Sequence, residues 1–145
     1  MKRRTDIDRL HDDIKELVDE LWHLPRFVGG QRGFRPHADC IRSEDPPALH
    51  VVVELPGVDP ASIQVAAADR VLVVAGERHR PPVSGRYRQL ELEYGPFQRR
   101  IQLDEPVDTE AATARYEHGM LTIVLPIAAK APQAERVYIA IRGRG

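Results

Sequence analysis

The chain has 145 residues, of which 42% are hydrophobic and 30% charged, a balance that is typical of a folded domain and excludes disorder along the whole chain. Twenty-one basic residues against 22 acidic ones give a formal charge of -1, which argues against a dedicated nucleic-acid-binding protein. The single cysteine, Cys40, excludes an internal disulfide framework and a cysteine-cluster metal site, and no apolar run approaches the ~20 residues that cross a bilayer, so we expect a cytoplasmic protein outside the membrane.

The first predicted element is an amphipathic helix that ends at Pro25. Apolar residues recur at spacings of three and four, Thr5 suits the N-cap, and the opposite face is charged. Burial of each large aliphatic side chain contributes ~1.5–3 kcal/mol of free energy, so this apolar stripe needs a partner surface. That surface is the helix's own domain, a second copy of the chain or a client protein. We predict a client- or partner-binding helix whose contact residues are Ile7, Leu10, Ile14, Leu17, Leu21 and Trp22.

A linker rich in glycine and arginine follows, from Pro25 to Pro36. No Gly-Lys-Ser/Thr sequence follows these glycines, so a phosphate-binding loop is a poor interpretation and a flexible hinge is the better one. Residues 1–36 are therefore predicted to form a helical arm and its linker.

From His37 onward the hydrophobic period changes to two, which predicts strands. Short strands at close intervals, with no convincing helix between them, indicate a mainly β protein with an immunoglobulin-like antiparallel β-sandwich over residues 37–127, followed by a C-terminal extension over 128–145. The predicted strands are Leu49–Leu55, Ile63–Ala68, Val71–Ala75, a short polar strand at Tyr87–Leu92, Phe97–Leu103, and a hairpin of Thr113–Tyr116 with Met120–Leu125 around His118-Gly119.

An enzyme is a weak interpretation of these residues. No serine lies in a Gly-x-Ser-x-Gly sequence, and the spacing of three between His37 and Cys40 on a strand puts a thiol and a base on opposite faces. The six histidines are scattered, so we expect no catalytic residue, no metal site and no cofactor. A locally basic loop around Arg78, Arg80, Arg86 and Arg88 is best interpreted as a source of solubility and ion pairing, with RNA binding a distant second.

Five stretches resemble one known family. Val53-Glu-Leu-Pro-Gly-Val58, Leu72-Val-Val-Ala-Gly-Glu-Arg78 and Tyr94-Gly-Pro-Phe-Gln-Arg-Arg-Ile-Gln-Leu103 are similar to the first part of the α-crystallin domain of small heat-shock proteins, of the bacterial type. Ala114-Arg-Tyr-Glu-His-Gly-Met-Leu-Thr-Ile-Val-Leu-Pro126 resembles the most characteristic stretch of that family, although the family usually has asparagine where His118 stands. Ile139-Ala-Ile141 occupies the position of the C-terminal Ile-x-Ile motif of the family.

The resemblance implies a groove between two edge strands that accepts the C-terminal tail. A strand with two isoleucines on one face can enter such a groove of a neighbouring subunit by strand addition, and pairing of the tail within its own domain is the alternative. The groove residues are Ile63, Val65, Ala67 and Ala114, and the tail residues are Val137, Ile139 and Ile141.

The resemblance also implies a dimer, in which a loop strand of one subunit pairs with the first strand of its partner. The residues whose positions match these two roles are Arg86, Tyr87, Arg88, Gln89 and Leu90 in the loop, and His37, Asp39 and Ile41 in the first strand.

The function expected from the resemblance is that of an ATP-independent chaperone, a holdase that works as a homo-oligomer built from dimers. Its expected partners are other copies of itself and non-native client proteins, with no nucleic acid, membrane or cofactor. One alternative is a sandwich adaptor like the CS-domain co-chaperones, which dock on a larger partner, and another is a shell or scaffold subunit that holds no client.

Overall fold

Two β-sheets face each other in the part of the chain that the computed structural model describes, which is residues 33–68, 70–128 and 137–143. The predicted N-terminal helix lies outside these residues, as does most of the spacer in front of the tail. The elements are β1 Ala38–Ser43, β2 Ala48–Glu54, a 3-10 turn Pro60–Ser62, β3 Gln64–Ala68, β4 Val71–Arg78, β5 Gly95–Gln102, β6 Thr113–Glu117, β7 Met120–Pro126, β8 Val137–Tyr138 and β9 Ile141–Arg142.

The strands are shared between a five-stranded sheet, in the order β1-β2-β7-β6-β9, and a four-stranded sheet, in the order β5-β4-β3-β8. Neighbouring strands run antiparallel, except that β9 runs parallel to β6. The predicted fold class, a mainly β antiparallel sandwich, is therefore confirmed.

The core lies between the sheets because the strands alternate apolar and polar side chains. In the larger sheet, every second residue of β2 and β7 faces inward, and Val51 lies directly opposite Ile123. Burial of this apolar surface, at about 25 cal/mol per Å², is the main term that stabilises the sandwich. The most completely buried side chains are Leu49, Leu55, Leu72, Leu103, Leu121, Ile123, Leu125, Val51, Val53, Val73 and Val74.

A two-residue turn joins β6 to β7, as the sequence predicts. His118 and Gly119 both have positive φ, of 53° and 76°, which is the pattern of the type I′ turn that suits the twist of a hairpin. Glycine is also required here by space, because a Cβ on Gly119 would lie 2.9 Å from the Cα of Pro56.

One predicted strand does not form in this chain. The sequence predicts a short polar strand at Tyr87–Leu92, whereas the whole stretch 79–94 between β4 and β5 is a loop. A strand needs a neighbour to receive its backbone hydrogen bonds, and no described strand lies beside this loop.

Candidate functional site

The candidate site is a groove between the edge strands of the two sheets, β3 and β6. Residues 137–143, here called the tail, lie along both edges. Tyr138 pairs antiparallel with Ala66 on β3, and Ile141 pairs parallel with Ala114 on β6. The amide of Ile139 donates a hydrogen bond of 2.9 Å to the carbonyl oxygen of Val65. A single extended segment therefore covers backbone groups of two different sheets.

Apolar side chains line the floor of this groove. Ile139 is only 7% exposed and joins the main core, and Ile141 packs against the same core from the rim. By the strand period, Val137 and Ile139 face the same side as their partners on β3. The predicted floor residues are all buried, and they are Ile63, Val65, Ala67 and Ala114.

The structure thus brings the predicted tail residues and the predicted groove residues together. It does so within one chain, which is the alternative that the sequence left open. Donation of the tail to a neighbouring subunit stays a prediction.

Tyr116 lies on the buried face of β6, beneath the groove, and its role was not predicted from the sequence. Its side chain is buried, and its hydroxyl donates to the carbonyl oxygens of Leu55 at 2.6 Å and Val58 at 3.3 Å. Burial raises the pKa of the Tyr116 phenol above its ordinary value. The available signal was the alternation of β6, which turns Tyr116 inward together with Ala114.

The loop of residues 79–94 presents a second candidate surface, because it exposes several apolar side chains. Val83 is 80% exposed, Leu92 68%, Tyr87 61% and Leu90 60%. The other predicted exchange residues of the loop are exposed as well, namely Arg86, Arg88 and Gln89.

Two arginines hold the base of this loop. The Arg78 guanidinium lies 3.7 Å from the ring centroid of Phe34, and its Nε donates to the carbonyl oxygen of Glu93 at 2.8 Å. The Arg80 guanidinium contacts two rings, at 5.0 Å from the centroid of Tyr87 and 4.7 Å from that of Tyr94. Two of the four arginines noted in the sequence therefore bind aromatic rings of this chain.

Strand β1 is a free edge of the larger sheet in the described part of the chain. The amide of Glu54 donates to the carbonyl oxygen of His37 at 3.0 Å. By the same register, the backbone groups of Asp39 and Ile41 also face β2. In an antiparallel ladder the intervening residues point their amides outward, so the N–H groups of Cys40 and Arg42 face away from β2. These donors are available to a further strand, beside the exposed side chain of Ile41.

The end of β1 is tied down by an ion pair. Arg42 donates from Nε to Glu105 at 2.6 Å and also contacts Glu44. The hydrogen bond from Arg42 holds the pKa of the Glu105 carboxyl below its usual range. Partial burial, together with the charge of Asp104, raises the pKa of the Cys40 thiol, which does not suit a nucleophile.

Other chemistry finds little support in these residues. Across residues 33–68, 70–128 and 137–143, no group of three or more His, Cys, Asp or Glu side chains is arranged to hold a metal ion. The same ranges contain no helix with the length and hydropathy needed to cross a membrane. The predicted client-binding residues Ile7 to Trp22 lie outside the described residues.

Comparison with known proteins agrees with this geometry. The family model described as the Hsp20/alpha crystallin family matches residues 41–142. Small heat shock protein C2 of Rickettsia felis is 28% identical over 145 residues, which cover 99% of this chain and 89% of that protein. The 16.9 kDa class I heat shock protein 1 of Triticum aestivum is 35% identical over 123 residues, which cover 81% of this chain and 82% of that protein.

A solved structure has the same fold. A small heat-shock protein from Xylella fastidiosa, whose crystal structure reveals a distinct high order structure, superposes with a TM-score of 0.55 at 34% identity. The superposition covers 70% of this chain and 94% of that one.

Proposed function

The chain belongs to the Hsp20/alpha crystallin family, and from this premise we propose that it is an ATP-independent holdase, a chaperone that binds partly unfolded proteins and prevents their aggregation. The observation that carries the proposal is the groove between β3 and β6, which binds an extended apolar segment through backbone hydrogen bonds and a buried isoleucine. A partly unfolded client offers segments of the same chemistry.

Magnitudes favour reversible occupation of this groove. Burial of the two isoleucines of the tail contributes roughly 3–6 kcal/mol. Ordering the tail and immobilising a partner costs a similar amount, so that a single contact is weak. Many such contacts in one assembly become strong by avidity. We therefore propose a homo-oligomer whose tails leave and re-enter grooves, those of neighbouring subunits included, while the whole particle persists.

A dimer is the proposed building block. The loop of residues 79–94 carries exposed apolar side chains and has no strand partner among the described residues, and β1 has a free edge. Pairing of Arg86–Leu90 from one subunit with His37–Arg42 of another would satisfy both surfaces.

The N-terminal arm completes the proposal. Released tails expose grooves, and the apolar stripe of the predicted helix, with Leu10, Leu17 and Trp22, provides a further surface for clients. The division into an arm (1–36), a sandwich domain (37–127) and an extension (128–145) belongs to the same proposal. The single cysteine supports a reducing compartment, which we take to be the cytoplasm.

The proposed holdase activity is tested by light scattering. An aggregation-prone protein is heated with and without the full chain, in the absence of ATP, at equal subunit concentrations. We expect suppressed scattering, with serum albumin at the same mass concentration as the control for inert protein. Scattering that rises as fast as with albumin would count decisively against a holdase and would favour a scaffold subunit.

The tail contact is tested by sedimentation velocity. The double substitution Ile139→Ala and Ile141→Ala removes the apolar anchors, so the oligomer should shrink toward dimers, while Ala140→Ser at the exposed position between them is the matched control. An unchanged profile of the double variant would refute tail exchange. A wild-type monomer would favour the adaptor alternative.

A further inference from the structure

The tail changes its partner strand between Ile139 and Ile141. Up to Ile139 it hydrogen-bonds to β3 of the smaller sheet, and from Ile141 it pairs with β6 of the larger one. The register of the second pair, Ala114 with Ile141 and Arg115 with Arg142, puts Gly143 opposite Tyr116. The last described residue of the tail therefore lies against the backbone of Tyr116 on one side, although it is exposed on the other.

Gly143 fits there only because it has no side chain. A Cβ at this position would overlap with the carbonyl oxygen of Tyr116 and would lie 2.8 Å from the Tyr116 nitrogen. Its φ of 144° also lies in the region that L residues with a side chain rarely adopt. Contact and conformation thus point to the same requirement.

The opposing backbone cannot retreat to make room. The ring of Tyr116 is buried in the core, and its hydroxyl is held by the carbonyl oxygens of Leu55 and Val58. Moving the β6 backbone outward would break these hydrogen bonds and open the core. A side chain at position 143 must instead push the end of the tail off β6.

We propose that Gly143 is a third specificity determinant of the groove, beside Ile139 and Ile141. The groove then selects an extended peptide with two aliphatic residues two positions apart and a glycine two positions after the second. This inference rests on the proposed use of the groove as a receptor for extended segments, and it adds a requirement that apolarity alone does not impose. The same selection applies whether the tail comes from its own chain or from a second copy.

The full-length chain provides the first test, by amide hydrogen exchange. The Ile139 amide is bonded to Val65, so its exchange reports how long the tail stays in the groove. Gly143→Ala should speed this exchange by about ten-fold, which corresponds to about 1.4 kcal/mol of docking free energy. Amides of β2 and β7 should be unchanged. Arg142→Ala, at an exposed neighbouring position, is the matched control and should leave Ile139 unaffected. Equal protection of Ile139 in wild type and Gly143→Ala would overturn the proposal.

Peptide binding provides the second test and does not depend on chaperone activity. The acceptor is the full chain with Ile139→Ala and Ile141→Ala, and the probe is a fluorescent peptide of residues 135–145, read by anisotropy. The Gly143→Ala peptide should bind about ten-fold more weakly than the unchanged peptide, and the Arg142→Ala peptide within about two-fold of it.

The outcomes separate the two claims. Equal affinity of the Gly143→Ala and unchanged peptides overturns the role of Gly143 alone. No binding of any peptide overturns the groove as a receptor, and with it both tail exchange and the glycine requirement. Discrimination between the peptides together with no suppression of aggregation would support the role of Gly143 while refuting the holdase.

Discussion

At the scale of single residues, the hydroxyl of Tyr116 connects the groove to the core. It donates to two carbonyl oxygens of the segment that follows β2, at Leu55 and Val58. Tyr116→Phe keeps the ring but leaves these buried acceptors without that donor, and we expect a loss of about 1–3 kcal/mol in the free energy of unfolding. Urea denaturation measures the loss, with Tyr87→Phe on the exposed loop as the control. Equal midpoints for the two variants would contradict the structural role of this hydroxyl.

The same residue gives a pH dependence with a definite sign. Burial raises the pKa of Tyr116 in the folded state above the ordinary value of about 10. A group with a raised folded pKa stabilises the protein below its unfolded pKa, and this contribution is lost as the pH rises through the folded pKa. The stability gap between wild type and Tyr116→Phe should therefore narrow above about pH 10. A gap that stays constant into this range would exclude a raised pKa.

At the scale of elements, the β6–β7 hairpin depends on two positive φ angles. His118, at 53°, occupies a conformation that asparagine adopts more readily, so His118→Asn should stabilise the fold by about 0.5 kcal/mol. Gly119→Ala should destabilise it by about 1–3 kcal/mol, since the new Cβ is strained and meets the Pro56 Cα. Thermal unfolding followed by circular dichroism measures both changes.

Gly95, the first residue of β5, provides a comparison for the contact that a side chain would make at Gly119. Gly95 also has a positive φ, of 117°, but a Cβ there meets nothing within 4 Å. Gly95→Ala should therefore cost less than Gly119→Ala. A cost of Gly95→Ala equal to or above that of Gly119→Ala would mean that backbone conformation outweighs the contact with Pro56.

The elements differ in how far the sequence could predict them. The strand predicted at Leu49–Leu55 is observed at Ala48–Glu54, because its core-facing alternation is a local property. The predicted strand at Tyr87–Leu92 is absent, because strand formation depends on a partner and not on local pattern alone. Sequence period also predicts which face of the tail is apolar. The sequence period cannot predict the antiparallel pairing with β3, the parallel pairing with β6 or the close approach of Gly143 to Tyr116. These contacts depend on how the edge strands of the two sheets lie in space.

At the scale of the whole molecule, the edge strands of the sandwich have backbone groups that are open to pairing with another strand. The tail covers the edges of β3 and β6. Within the described residues, the uncovered edge strand is β1 in the larger sheet and β5 in the smaller one, at the ends opposite the tail. A free edge attracts strand addition, and β1 is the edge with outward amides at Cys40 and Arg42. The exposed loop of residues 79–94 is long enough to supply such a strand to another subunit, and its apolar side chains gain burial by doing so.

Cys40→Pro tests the proposed strand pairing at the free edge of β1 without disrupting the fold of the subunit. Because the Cys40 amide points away from β2, Cys40→Pro removes a donor from the free edge and leaves the β1–β2 hydrogen bonds in place. In the background of Ile139→Ala and Ile141→Ala, where dimers are the expected species, Cys40→Pro should shift sedimentation from dimer toward monomer. Cys40→Ala, which loses the thiol but keeps the amide, should remain dimeric. Proline has no amide hydrogen to donate, and its ring blocks the approach of a strand at this position. A dimer of unchanged stability in the proline variant would therefore mean that the subunits do not pair along β1.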